Sequence, residues 1–215
     1  MIVLTVSLGR WQTHRAAEKE ARQAMFEARM REAPIVLGGD SGPADALLYR
    51  RVRATGEWIA AGQIFIDNQV HQGRAGFHVI TPLRIAGSDR AVLVNRGWIA
   101  RTAAYPAAPP VEVPAGRVTV DGVASLPPAR VLELSSETVT GNVWQNLSLA
   151  RYAERMRIPV LPVVVLADRA GDALAAVRER PDLGIDRHRE YSLTWFSLAV
   201  TLAVLWIVFT FRIER

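Results

Sequence analysis

Four histidines, a serine in a GDSG run and a single lysine are the residues of this 215-residue chain best suited to chemistry, and none stands in a spacing that builds an active site. Ser41, within Gly39–Gly42, has the setting of a protease nucleophile. Such a serine needs a histidine base and an orienting carboxylate, and only His14 precedes it. His14, His71, His78 and His188 show no HExxH or other paired metal spacing, although His71 and His78 lie on either side of a turn. Lys19 follows no phosphate-cradling glycine loop. The absence of cysteine excludes disulfides, thiolate nucleophiles, zinc ribbons and iron–sulfur clusters. No pair of carboxylates stands out for acid–base work. The chain reads as a protein without turnover chemistry.

The charge does not point to nucleic acid. Net charge is +5, from 26 basic and 21 acidic residues, but Lys19 is the only lysine and acidic residues sit between the arginines throughout. There is no block of five or six basic residues and no basic stripe with interleaved aromatics, so no nucleic-acid partner is expected.

The elements that must position any site begin with a membrane segment. Tyr191–Phe211 carries no charge, proline or glycine. As a helix it spans roughly 30 Å, the thickness of a bilayer's hydrocarbon core. Arg187, His188, Arg189 and Glu190 precede it and Arg212 and Arg215 follow, with Tyr191, Trp195 and Trp206 placed for the interface. At the other end, Met1–Leu8 is apolar but too short to cross a bilayer. It reads either as the end of a first transmembrane helix whose upstream part is missing, or as a helix that dips into the interface. Trp11–Arg31 has helical alanine spacing and i,i+4 Glu–Arg pairs, which predicts an amphipathic helix bounded by Pro34. Residues 1–34 therefore form an apolar stub and an amphipathic helix, and 45–186 a β-rich extramembrane domain.

Within that domain, Tyr49–Ile59, Gln63–Val70, Gly76–Ile85, Arg90–Ile99, Arg117–Ala124 and Val160–Ala167 are rich in Val, Ile and Phe and bounded by turn residues. They predict strands, with Gly56 as a bulge candidate and a short further strand at Asn142–Gln145. Ser148–Arg157 and Ala173–Arg180 read as helices. The fold class is an α+β membrane protein whose β domain is antiparallel and barrel-like, set between an N-terminal helix and a C-terminal transmembrane helix.

Several blocks together resemble one family. They are Leu8-Gly9-Arg10-Trp11-Gln12, Gly76-Phe77-His78-Val79-Ile80-Thr81-Pro82-Leu83, Val92-Leu93-Val94-Asn95-Arg96-Gly97-Trp98-Ile99, Asn142-Val143-Trp144 and His188-Arg189-Glu190-Tyr191-Ser192-Leu193-Thr194-Trp195-Phe196. In this order they look like the surfeit-locus family of cytochrome c oxidase assembly factors. The resemblance implies two transmembrane helices flanking a domain on the periplasmic or intermembrane-space side. For a bacterial chain that is the inner membrane, with the domain in the periplasm. It implies haem a as cofactor, and the large oxidase subunit or its assembly intermediates as partner, with the haem a synthesis machinery as a further one. The family's proposed haem ligand, at the start of the second membrane helix, falls on His188. The chain departs from the family in carrying Asp186 and Arg187 where asparagines are usual.

The residues allow this reading beside plainer ones. A neutral imidazole is a standard haem-iron ligand, and His188 falls at the membrane surface. Arg187 and Arg189 can pair with haem propionates, or can be ordinary interfacial arginines reaching for headgroups. His14 falls near the same surface, which leaves a bis-histidine site open. Arg96 and Trp98 share a strand face opposite Asn95 and Gly97. With Asn95, Arg96 either meets a partner's carboxylate or serves the fold, where Gly97 marks a bulge and Trp98 fills the core. A haem-independent scaffold gripping an oxidase intermediate is the alternative function.

Overall fold

The computed structural model describes residues 1–127, 139–177 and 184–213. Its contacts divide the chain into two units, Met1–Ala28 with Arg180–Arg215, and Arg29–Glu179.

The first unit is a helix pair. α1 runs without a break over Ile2–Arg31, so the apolar stub and the amphipathic stretch are one helix. It closes with Arg29 and Arg31 in its last turn, where cations favour the C-terminal dipole. Ala33 and Pro34 end it.

Among its described residues the second unit is a nine-stranded sheet with two short α-helices and one 3-10 turn. β1 (Ile35–Val36) and α2 (Ala44–Leu47) lead into β2 (Arg51–Trp58), followed by β3 (Ile64–His71), β4 (Arg74–Ile85), β5 (Ala91–Ala100) and β6 (Arg117–Ser125). β7 (Val139–Thr140) and β8 (Val143–Trp144) precede α3 (Leu149–Met156) and β9 (Val160–Ala167). The last helix, α4 (Ile185–Ile213), is the partner of α1 in the first unit. Among the described residues it is the one helix long and apolar enough to cross a membrane, with mean hydropathy 2.0.

Strand order is β1-β2-β6-β9-β5-β4-β3-β8-β7, and β2 also pairs with β4. The pairings of β2, β6, β9, β5 and β4 thus return to their starting strand. All five contribute to one buried cluster that includes Val52, Ala54, Leu83, Val92, Val94, Ala124, Val163 and Val165. Leu93 and Val164, on the opposite faces of β5 and β9, join a second cluster with Ile64, Ile80, Trp144 and Tyr152. A strand covered on both faces reads as a continuous apolar run rather than an alternation, which explains Val92-Leu93-Val94.

Three readings change. The sheet is mixed rather than antiparallel, because β1–β2, β3–β8 and β5–β9 are parallel. The chain between β5 and β9 holds β6 and α3, so no hairpin dictates their direction. Gly56 is not a bulge: it pairs with Val118 of β6 and Ile85 of β4 at once, and a Cβ there would strike the Arg84 carbonyl. A side chain would block the closure. Residues 173–177 are not helical, and Ala175 instead bridges to Trp98. The rest of the helix expected at Ala173–Arg180 lies outside the described residues.

Two local features follow from residue chemistry. Gln72 and Gly73, at φ 49° and 76°, make the two-residue turn between β3 and β4. Ser148 caps α3 by accepting from the Arg151 N–H at 3.3 Å.

Candidate functional site

In the helix pair, two blocks from opposite ends of the sequence meet. On α4, His188, Ser192 and Phe196 recur every four residues and so form one stripe. On α1, Gly9, Gln12 and Thr13 fall within one turn and a face. The Ser192 hydroxyl donates to the Gly9 carbonyl at 3.2 Å and lies 2.7 Å from the Thr13 hydroxyl. Phe196 covers Gly9 so closely that a Cβ there would come within 2.9 Å of the ring. Small residues of this kind let helix backbones approach where hydrophobicity supplies no pairing force.

One turn toward the start of α4 lies His188. Its Nδ1 is 2.5 Å from Gln12 Oε1, and its ring meets the Trp11 indole edge-on at a centroid separation of 6.5 Å. Among the described residues none bonds its Nε2. Arg189 reaches Glu20 at 2.8 Å, an exposed pair on both sides and therefore worth little. Arg187 is exposed in the first turn of α4.

The structure thus gathers His188 and Arg189 with α1 side chains, but not with His14. That imidazole is 75% exposed and lies 3.2 Å from Glu18, two residues past Gln12 and so turned to another helix face. Trp11 and Gln12 belong to a block quoted for the resemblance, yet no periodicity marks them as neighbours of a histidine 176 positions away. Only the packing of the two helices assigns that role.

Asn95 and Arg96 belong to the sheet unit and are used within it. Val79 pairs with Gly97 and Ile80 with Asn95, leaving Arg96 as the extra residue of a β-bulge. Arg96 is 5% exposed. Its guanidinium donates to Gln63 Oε1 at 3.1 Å and the Glu112 carbonyl at 2.9 Å, and lies 5.5 Å from the Trp58 ring centroid. Burial pulls its pKa below the ordinary guanidinium range, with Asp172 opposing. Asn95 Oδ1 accepts from the Gly97 N–H at 3.1 Å, which closes the bulge from within. Gly97 itself sits at φ 143°, and a Cβ would come within 2.7 Å of Leu174. The Arg96 carbonyl accepts from Gly171, and Trp98 exchanges backbone bonds with Ala175. The NRGW block therefore staples the chain beyond β9 onto β5. Gln63 escaped the sequence reading: it accepts from both Arg96 and Thr81, and donates to the Val111 carbonyl.

The remaining candidates resolve simply. Ser41 bonds the backbone N–H and carbonyl of Gly38, at 2.7 and 2.6 Å, and closes its own loop. His71 pairs with Arg74, and His78 with Ile66, so four residues of β4 separate their ladder positions, about 13 Å. Trp98 lies across Gly76 between those positions, with His71 against its indole at 5.1 Å. Burial, reinforced by His71, pushes the His78 pKa down to about 4. Among the described residues no three potential ligands cluster for a metal ion.

Comparison with known proteins places these blocks in context. The chain is 28% identical to a SURF1-like protein of Monosiga brevicollis, over 95% of this chain and 83% of that one. It is 25% identical to a SURF1-like protein of Rickettsia felis, over 96% and 92%. It is 26% identical to Surfeit locus protein 1 of Xenopus tropicalis, over 95% and 71%. Residues 1–200 match the model of the SURF1 family, and the chain belongs to that family.

Proposed function

We propose that this chain is a membrane-anchored assembly factor for cytochrome c oxidase, which binds haem a through His188 and aids its insertion into the large oxidase subunit. The observation that carries the reading is the pairing of His188 with Gln12 at the head of the apolar helix. An amide oxygen can only accept, so in the neutral ring this pairing favours the proton on Nδ1 and leaves Nε2 its lone pair. A neutral nitrogen of this kind, half-buried and unbonded among the described residues, suits a haem iron. When bound, the haem supplies a coordination position for that imidazole and a large apolar face.

The chain's own residues do the rest. Gly9, Thr13 and Ser192 set the spacing of the helices. Trp11 stands beside the imidazole. Arg187 offers a guanidinium to a propionate, and Arg189 can do so by leaving its exposed pair with Glu20. The sheet unit, closed through Gly56 into a barrel-like body, stands on the periplasmic side of a bacterial inner membrane and meets the oxidase subunit or its intermediates, with the haem a synthesis machinery as supplier. The protein delivers rather than transforms, and no turnover is assigned to it.

The test is the visible spectrum of the detergent-purified protein from a host that makes haem a, beside its His188→Ala variant. A Soret band lost in the variant supports a haem carrier with His188 as ligand. A colourless wild-type protein leaves the haem-independent scaffold.

A further inference from the structure

Neutral imidazole carries its proton on one ring nitrogen, and the hydrogen bond made by the other decides which. For His188 the partner at Nδ1 is the Gln12 side-chain oxygen, at 2.5 Å. We propose that Gln12 is the positioning residue of His188: it accepts the Nδ1 proton, holds the ring, and makes Nε2 the only nitrogen able to take an iron. The second half of this statement rests on the haem reading above; the first does not.

The contact is set by the packing around it. Gly9, three residues before Gln12, accepts from Ser192, four residues after His188. Thr13, the next residue after Gln12, lies against the same serine. Phe196 closes over Gly9 from the next turn of α4. These contacts fix both the separation and the register of the helices, and they leave Gln12 and His188 facing each other one turn away. Glu20 and Arg189 continue the register beyond them. Trp11 stands edge-on to the imidazole, restricting its tilt. Ligating histidines characteristically donate their second ring N–H to an oxygen that orients them and raises their basicity. An amide oxygen serves that purpose without adding a charge at the end of a membrane helix. The opposite amide rotamer would present N–H donors to Nδ1 and force the proton onto Nε2, which closes the site to iron. The tautomer is therefore the discriminating observable.

The experiment uses the full chain in detergent, haem-free, with ¹⁵N-labelled histidine, at about pH 8, above the ordinary histidine pKa of about 6.5. The His188 signals are assigned by their loss in His188→Ala. We expect the wild-type His188 proton on Nδ1. In Gln12→Ala it moves predominantly to Nε2, and in Gln12→Glu, which keeps an acceptor oxygen, it stays on Nδ1. A wild-type proton on Nε2, or a tautomer unchanged in Gln12→Ala, overturns the proposal. The second readout is haem titration of the same proteins. Gln12→Ala binds about 10-fold more weakly or worse, and Gln12→Glu retains binding with a lower reduction potential. Equal affinity and potential in all three would remove Gln12 from the ligand's setting. If the Nδ1 tautomer is found but no variant binds haem, the haem reading fails while the pairing stands.

Discussion

Phe196 of α4 lies against Gly9 of α1, with no room for a methyl group between them. The same glycine's carbonyl accepts from Ser192, so one residue without a side chain sets how closely the helices approach. Everything proposed for His188 depends on that approach.

A cysteine pair can report it. The natural chain has no cysteine, and the Thr13 and Ser192 hydroxyls are 2.7 Å apart. The Thr13→Cys/Ser192→Cys protein should form an intramolecular disulfide on mild oxidation, since side chains whose hydroxyls touch bring two sulfurs within bonding reach. Adding Gly9→Val should reduce crosslinking several-fold, read on a gel after mild oxidation. Undiminished crosslinking would mean that Gly9 does not set the spacing.

Arg96 should behave as a structural arginine. Its removal by Arg96→Ala leaves the Glu112 carbonyl and a lone pair of Gln63 without a donor, and should cost about 2–3 kcal/mol in urea unfolding. Arg96→Lys should recover little, because an ammonium cannot fork between the two acceptors while lying on Trp58. A near-wild-type Arg96→Ala would release this residue for a partner.

Gly97→Ala should loosen a defined segment. At φ 143° a side chain is strained, and the new methyl would meet Leu174 and the Ala175 carbonyl. About 1–3 kcal/mol of strain is expected, and it should appear locally. Amide exchange at Trp98 and Ala175, which hold each other's backbone, should accelerate more than exchange in β2 or β6. Uniform acceleration would mean instead that the whole sheet is destabilised.

His78 predicts an acid-sensitive stability. Half-buried on the sheet, with the charge of His71 adding to the cost of its own, it stays neutral until about pH 4, whereas the unfolded chain takes up that proton near pH 6.5. Between those values the unfolded state binds more protons, so stability falls as pH drops, by up to about 3 kcal/mol, and is unaffected by this group above pH 7. In His78→Gln the loss between pH 6.5 and 4 should shrink by most of that amount, measured by denaturant unfolding at each pH. An unchanged slope would place the acid sensitivity elsewhere.

Local features of the chain were legible from its residues. The charge-free run Tyr191–Phe211 has the length a bilayer requires, and it lies within α4. The strands follow their Val- and Ile-rich runs, and Gln72-Gly73 marks its turn, because these properties reside in a few consecutive residues. The fold of Gly97 and Trp98 was also within reach, since a glycine inside a strand points to a bulge. The parallel pairing of β5 with β9, the closure at Gly56 and the burial of Arg96 were not. Each depends on a segment far along the chain, and no local pattern specifies which one arrives. The sequence alone determined the apolar helix long enough to cross a bilayer, the strands and the family blocks. Only the tertiary structure decided that Gln12 stands beside His188, because that contact exists through the packing of two helices whose sequences carry no mark of one another.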